Sequence, residues 1–381
     1  MNILFITHHY LSSNGGGSFA SRAYINAFAE IADEMTLLYP IKEGENLFPE
    51  INKKVKTISV EYNILKWRKV FDLLCGRVHR YYKVAPKFIK SKDYDVIVFD
   101  NSKTSFRLID FAHKYGKKTI VIHHNFEYEY VRDNSKGLLR FVGLFWTKKY
   151  EKEAACRSDL NLTLTNQDCE LLCNNFRNGN KDNFRILGTF EYKPFVSCRV
   201  KELELEKNNF VITGNLGACQ TEQSLIPWIQ NYYPLIKEVF PNSVVTIAGK
   251  NPSERLCQIC QKAQILLIPS PNSMDSIMEK ASYYICPIHL GGGIKLRVMD
   301  GLKWGVPVIA HVVSARGYDP FEDLGCLLTY SNENEFRNAL FRLKKVNLTK
   351  AFIQQTYASR FSFESGVERL RKILLFFSVI R

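Results

Sequence analysis

Long apolar runs are missing from this chain of 381 residues. The most apolar stretch near its end, residues 373–380 with Ser378 inside it, falls well short of the roughly 20 residues that cross a bilayer. No cationic segment followed by an apolar one precedes the first strand pattern, so a secretory signal is not expected and the chain is expected in the cytoplasm. Acids are in short supply, with 38 Asp and Glu against 52 Lys and Arg and a formal net charge of +14. That excess favours phosphate-bearing partners (a nucleotide, a nucleic acid or an anionic membrane) without choosing among them. Cysteines at zinc-site spacing are also lacking: ten are scattered, and the closest pair, Cys257 and Cys260, has no second pair. They read as reduced structural thiols, and the acids Asp93 and Asp95 read as turn residues, so no metal is expected. The dinucleotide fingerprint G-x-G-x-x-G is absent, which removes the reason to infer NAD. What is present is 46% hydrophobic residues, enough for a large core and two domains of ordinary size.

The most informative stretch is IHLGGGIKLRVMDGLKWGVPVIA, residues 288–310. Three glycines end a short strand pattern. A helical pattern starts at Ile294 and continues through Val298 and Leu302, and Gly305 stops it before an apolar strand over residues 306–310. Glycines without a Cβ let a ligand approach the backbone, and the free N–H groups at a helix start favour an anion. Lys295 and Arg297 add positive charge, and Asp300 offers a carboxylate to the hydroxyls of a ribose. Phosphate donors followed by a hydroxyl acceptor describe a nucleotide site; a plain glycine turn capping a helix is the alternative.

The N-terminal half alternates apolar strands with helical patterns, the signature of a parallel, doubly wound sheet. Strands are expected over residues 2–7, 35–39, 96–100, 119–123 and 160–163. Gly15, Gly16 and Gly17 fall between the first strand and a helix over about residues 18–31, where ligands meet an open α/β sheet. VIHHNFEYEYVRD, residues 121–133, follows a strand directly and places His123, His124 and Glu127 at the same edge. An imidazole there donates to a phosphate or sugar hydroxyl near neutral pH, or serves as a hydrogen-bonded structural group. A polar stretch over residues 191–208 marks a domain boundary. Beyond it, strands are expected over residues 210–213, 244–248, 265–268 and 283–287, with a helix over about 221–239. Asn215 and Lys250 stand at strand ends.

Residues 66–92 carry nine Lys or Arg and one acid, Asp72, interleaved with Trp67, Phe71, Tyr81, Tyr82 and Phe88. The mixture suits an amphipathic helix in a headgroup layer, where each basic residue adds about 1 kcal/mol beside anionic lipid. Arg77, Arg80, Lys83 and Lys87 are the expected contacts, and residues 140–152 form a second basic, aromatic stretch. A solvated helix that packs its aromatics inward is the alternative. No nucleic-acid motif accompanies the charge, so nucleic acid is not an expected partner.

Together these segments resemble retaining glycosyltransferases of the GT-B fold, family 4 in particular, over nearly the full length. The resemblance is carried by Gly291, Gly292, Gly293, Lys295, Asp300, Gly305, Pro307 and Val308 in a GGG-x-K-x-K-x-x-E-A-x-x-x-G-x-P-V-V pattern. His124, Asn125, Glu127, Tyr128, Tyr130 and Arg132 match an H-N-x-E-Y-x-Y-x-R element. The implied fold is α/β, with two Rossmann-like doubly wound domains facing a central cleft. Residues 1–192 would form the acceptor domain, regaining a C-terminal helix at about 362–381, and 193–361 the donor domain. The implied activity is transfer of a sugar from a nucleotide-diphosphate sugar to a glycan or lipid-linked acceptor, with retention and without metal or cofactor. It would serve surface polysaccharide or glycoconjugate synthesis at the inner face of a membrane, with an anionic membrane surface as partner.

By the same resemblance His124 and Lys295 are catalytic and Glu127 meets the acceptor or sugar. Gly15, Gly16, Gly17, Asn215, Lys250, Gly291, Gly292, Gly293, Ile294, Lys295 and Asp300 hold the donor. Two departures stand out. Of the two glutamates that many members place eight positions apart, the second is Asp300 and the first is Gly292, which has no side chain. The arginine and lysine that relatives place after the first strand of the donor domain are absent from ACQTEQ after Gly217, leaving Lys295 or Arg316 to grip the diphosphate. A nucleotide-sugar epimerase of the same fold and a noncatalytic sugar-nucleotide or lipid-binding subunit are the alternatives.

Overall fold

The computed structural model describes residues 1–13, 15–41, 50–61, 66–135, 137–194 and 208–376. The chain divides into two compact units, Met1–Phe195 with Arg360–Arg381, and Val196–Ser359. Most of the polar stretch over residues 191–208 lies outside the described residues.

Among its described residues unit 1 holds seven strands: β1 (Asn2–Thr7), β2 (Glu34–Ile41), β3 (Lys56–Glu61), β4 (Val96–Asp100), β5 (Lys118–His123), β6 (Leu160–Thr163) and β7 (Phe184–Ile186). All pair in parallel, in the order β3-β2-β1-β4-β5-β6-β7. Consecutive apolar residues such as Ile3, Leu4, Phe5 and Ile6 are buried because helices cover both faces of such a sheet. The edge strands β3 and β7 gave no sequence pattern: β3 has no buried residue and β7 spans three residues. Helix α1 (Gly16–Ile31) follows β1, and the C-terminal helix, Phe363–Phe376, returns to pack on it. Arg369 of that helix donates through Nε to the Leu187 carbonyl at 2.6 Å, which fixes the tail to unit 1.

Residues 66–92 do not form one amphipathic helix. Helix α2 (Lys66–Leu74) is followed by Gly76 at φ 71°, a 3-10 turn over Arg80–Tyr82 and a short helix, Ala85–Ile89, with Pro86 in its first turn. Tyr81 is buried in the core and Phe88 is half-buried. The Arg80 guanidinium lies 5.1 Å from the Tyr10 ring centroid and donates to its hydroxyl, so of the four expected headgroup contacts only Arg77, Lys83 and Lys87 are exposed. Helices α3 (Ser102–Ser105), α4 (Glu127–Asn134) and α5 (Leu138–Arg157) follow.

Unit 2 holds β8 (Asn209–Asn215), β9 (Val244–Lys250), β10 (Leu266–Pro269), β11 (Tyr283–Cys286), β12 (Val308–His311) and β13 (Leu327–Tyr330), all parallel, in the order β10-β9-β8-β11-β12-β13. The single helix expected over residues 221–239 is two, α6 (Cys219–Asn231) and α7 (Tyr233–Val239). Pro234 has no N–H for the ladder and its ring crowds the preceding turn, so the chain breaks at Tyr232. Helix α8 (Leu296–Lys303) starts two residues after Ile294, because Gly293 adopts φ 68° and Lys295 is an extended N-cap. In both sheets the winding reverses beside the first strand, between β1 and β4 and between β8 and β11. Open α/β sheets bind ligands beyond the carboxyl ends of strands at such a switch point.

Candidate active site

In unit 1 the switch point brings Thr7 and Asp100 into register at the ends of β1 and β4. Asp100 is fully buried, and a buried carboxylate persists only when paired. Its Oδ2 accepts from Thr7 Oγ1 at 2.6 Å and from Ser21 of α1, and its Oδ1 accepts from His124 Nε2 at 2.5 Å. Burial would raise its pKa, but the charge and hydrogen bond of His124 prevail and hold it well below the usual carboxylate range. For His124 burial works downward, while the charge and hydrogen bond of Asp100 prevail upward. Each member of this buried pair thus favours the charged form of the other.

His9 stands beside them in the opposite state. Its ring centroid lies 4.9 Å from that of His124, and its Nε2 is buried without a hydrogen-bond partner. Burial, then the charge of His124, pushes its pKa down to about 4, so it is neutral at pH 7. A Cβ on Gly17 would collide with the His9 ring; the third glycine of the loop is therefore required by this histidine. Gly15 caps α1 without a side-chain bond and Gly16 opens it, which leaves first-turn N–H groups for a ligand. One atom each from His9, Asp100 and His124 lie within 4.8 Å of one another, the one grouping of metal-ligand type among the described residues. Both Asp100 oxygens and His124 Nε2 are already committed to hydrogen bonds, so the set fits an ion pair better than a cation.

The residues after β4 and β5 are fixed as firmly. Asn101 holds φ 97°, a conformation rare for a side-chain-bearing residue, and this sets its amide between two partners. Its Oδ1 accepts from the Lys103 N–H at 2.8 Å, and its Nδ2 donates to Glu127 Oε1 at 2.8 Å. Burial raises the Glu127 pKa against that bond. Buried Glu151 of α5 accepts from the N–H groups of Glu127 and Tyr128 at 2.6 and 3.2 Å, which caps α4. His123 points elsewhere, sharing a 2.8 Å hydrogen bond with Asn161 Oδ1, and burial pushes it down to about 4. Of the paired histidines, His124 is the one at the switch point.

In unit 2 the loop from β11 to α8 carries Gly291 at φ 81° and Gly293 at φ 68°, which favour glycine. Lys295 turns back on this loop, its Nζ donating to the carbonyls of Gly291 at 3.2 Å and Gly292 at 2.8 Å. Ile294 is half-buried, and Asp300 is exposed on the second turn of α8. A Cβ on Gly292 would meet nothing within 4 Å, so steric demand does not explain the missing glutamate. Lys250 lies exposed at the end of β9, and its carbonyl accepts from the Leu216 and Gly217 N–H groups, tying the loop after Asn215 in place.

Arg297 is the residue the sequence undervalued. Its guanidinium lies where a side chain on Gly214 would otherwise project, since a Cβ there would collide with Arg297 Cζ. Nη2 donates to Thr221 Oγ1 at 2.7 Å and to the Asn215 carbonyl at 3.4 Å, while Nη1 is buried with no partner. Arg297 of α8 thus places a cation beside the end of β8, where the following ACQTEQ segment has none. Asp100 was equally hidden, appearing in the sequence only as the last residue of an apolar strand; the usable signal is an acid at the end of the strand beside β1.

Two Rossmann-like units of seven and six parallel strands, with a terminal helix returned to the first, constitute the GT-B architecture. The solved structures that the chain resembles are GT-B glycosyltransferases. They include a lipopolysaccharide outer core galactosyltransferase, WaaB, in its apo form (12% identity, all of both chains covered, TM-score 0.64). A glycosyltransferase from Rickettsia africae matches at 12% identity over 99% of this chain and 98% of that one, TM-score 0.66. Anabaena HepE in complex with UDP matches at 12% identity over 99% and 100%, TM-score 0.65. At such identity the likeness is one of fold. No protein-family model matches the chain. A Klebsiella pneumoniae relative, an uncharacterized 44.6 kDa protein in the cps region, is 23% identical over 202 residues, 47% of this chain; the match spans about half of that relative, 48%.

Proposed function

We propose that the chain is a glycosyltransferase that moves a sugar from a nucleotide-diphosphate sugar to a glycan or lipid-linked acceptor, with retention of configuration and with no metal or cofactor beyond the donor. The observation that carries this reading is the glycine loop of residues 291–293 at the β8/β11 switch point, with the buried, unpartnered Nη1 of Arg297 beside it. As the sugar–phosphate bond breaks, negative charge grows on the leaving diphosphate, and preorganised donors there lower the barrier. Arg297, the loop N–H groups and, after leaving its carbonyls, Lys295 supply them, while Asp300 accepts from the ribose. His124, held charged by Asp100, donates to a sugar hydroxyl or to the diphosphate, and Glu127 meets the acceptor or sugar. The acceptor hydroxyl attacks from the leaving-group side and yields its proton to a diphosphate oxygen, so no protein nucleophile is required. HepE is a neighbour solved in complex with UDP-glucose and TarM one solved with UDP and a glycan, which supports this class of ligand.

We further propose that the protein works at the inner face of a membrane in surface polysaccharide or glycoconjugate synthesis. Among the described residues no helix is long and apolar enough to cross a membrane. Support for surface attachment comes from Arg77, Lys83 and Lys87 and from exposed Trp67 and Phe71. A panel of nucleoside diphosphates in thermal shift, followed by donor sugars on the best base with and without acceptor, tests the activity. Donor conversion that runs fully without acceptor would establish an epimerase instead, and binding without any turnover a noncatalytic subunit.

A further inference from the structure

Between α2, α4 and α5 unit 1 has an open recess of about 390 Å³, near the small end of ligand pockets at roughly 300–1,000 Å³. Its apolar walls include Leu73, Val78, Val131 and Trp146, and two cations, Lys103 and Arg140, enter it. Neither side chain makes a hydrogen bond or ion pair to any described residue. Glu127 is the acid acting on Lys103 through space, and its hydrogen bond goes to Asn101 instead. Desolvation penalises a lysine in such a place, and its pKa is lowered by burial. Two cations with no hydrogen-bonded or ion-paired partner among the described residues, in a recess with apolar walls, describe a site for an anion.

What lies outside the recess narrows the anion. Two of its bordering helices expose large apolar side chains: Trp67, Phe71 and Leu74 on α2, and Phe141 and Phe145 on α5, with Phe141 71% accessible. Soluble surfaces rarely gather such residues, and an aromatic face rimmed by basic groups is suited to a lipid headgroup boundary. Lys149 stacks on the Phe145 ring at 4.3 Å and so keeps a cation at that rim.

We propose that this recess binds the phosphate of a membrane-embedded, lipid-linked acceptor, with Lys103 and Arg140 holding the anion and the exposed face of α2 and α5 seated in the acyl layer. The proposal rests on reading unit 1 as the acceptor side of a glycosyltransferase and adds that the acceptor is an anionic lipid rather than a neutral glycan. The test is flotation with phosphatidylcholine vesicles doped with hexadecyl phosphate or, separately, with hexadecanol. The protein should bind the phosphate-doped vesicles at least ten-fold more tightly. K103M/R140Q should abolish that preference, whereas K262M/R342Q, which removes the same charge from exposed positions of unit 2, should retain it. F71S/F141S should weaken binding to both vesicles, and Lys103→Arg should restore what Lys103→Met loses.

Equal wild-type binding to the two vesicles, or a preference that survives K103M/R140Q in a variant with wild-type melting, would overturn the proposal. Displacement from the vesicles by millimolar methyl phosphate would show a soluble phosphate as the ligand and overturn the lipid assignment. Nucleoside diphosphate binding is measured on the same samples by thermal shift. If it is absent while the phosphate preference holds, the transferase reading fails and the lipid site stands; the reverse pattern removes the lipid site alone.

Discussion

At the residue scale, Asp100 and His124 favour each other's charged forms in a place where neither charge would persist alone. Removing one member of a buried pair costs about 3 to 5 kcal/mol, because the other is left uncompensated. Here the loss is softened, since His124 can give up its proton when Asp100→Asn removes the charge. The stability contributed by His124, whose pKa is raised, is complete below its unfolded value of 6.5 and is lost as pH rises through the native value. That of Asp100, whose pKa is lowered, is complete above 3.8 and is lost as pH falls through the native value. Urea unfolding of wild type and Asp100→Asn should therefore differ most between about pH 4 and 6.5 and converge toward pH 9. A gap that stays flat between about pH 5 and 9 would mean that His124 is neutral in the native protein. Asp300 is tested by two substitutions: Asp300→Asn should weaken donor binding by about ten-fold through loss of a charge-assisted bond, and Asp300→Glu should be tolerated better. Equal affinity of Asn and wild type in titration calorimetry would make Asp300 structural.

At the element scale, the strands that carry the site were legible because both their faces are buried and they read as unbroken apolar runs, as in β1, β4 and β5. The edge strand β3 was not, because its residues alternate between exposed and half-buried and resemble a polar loop. Composition alone also misled over residues 66–92, where Gly76 and Pro86 break the helix and Tyr81 turns inward. The glycine loops were legible as places where backbone meets ligand, but which partner each glycine accommodates, His9 for Gly17 and Arg297 for Gly214, depends on contacts distant in sequence. Gly76 permits a similar check on α2. A Cβ there would press on the Trp146 ring at 2.5 Å, and φ 71° disfavours any side chain. Gly76→Ala should loosen α2 from α5, so that limited proteolysis within residues 66–76 quickens several-fold while global melting falls by only a few degrees. Unchanged cleavage would mean that α2 is held elsewhere.

At the scale of the whole molecule, His9, His79 and His123 lie in different parts of unit 1 and are all pushed down to about 4 by burial. Their neutral forms are whole above pH 6.5, and stability is lost as pH falls toward 4, by at most about 3 kcal/mol for each group. Melting temperature should accordingly drop steeply between pH 6.5 and 4.5; a flat profile there would contradict the burial of neutral imidazoles. The broad positive charge was legible from composition, but not which cations the fold sets apart: Arg297 in unit 2 has a buried nitrogen without a partner, and Lys103 and Arg140 in unit 1 line one recess.

The claim that unit 2 is built around a diphosphate is tested most directly by calorimetry of wild type and Arg297→Gln against the tightest-binding nucleoside diphosphate and its parent nucleoside. Wild type should bind the diphosphate at least ten-fold more tightly than the nucleoside, as one or more charge-assisted bonds of about 1.5 to 3 kcal/mol require, and Arg297→Gln should erase most of that difference while leaving nucleoside affinity unchanged. A diphosphate preference that survives Arg297→Gln intact, or no binding of any nucleoside diphosphate to the wild type, would contradict it.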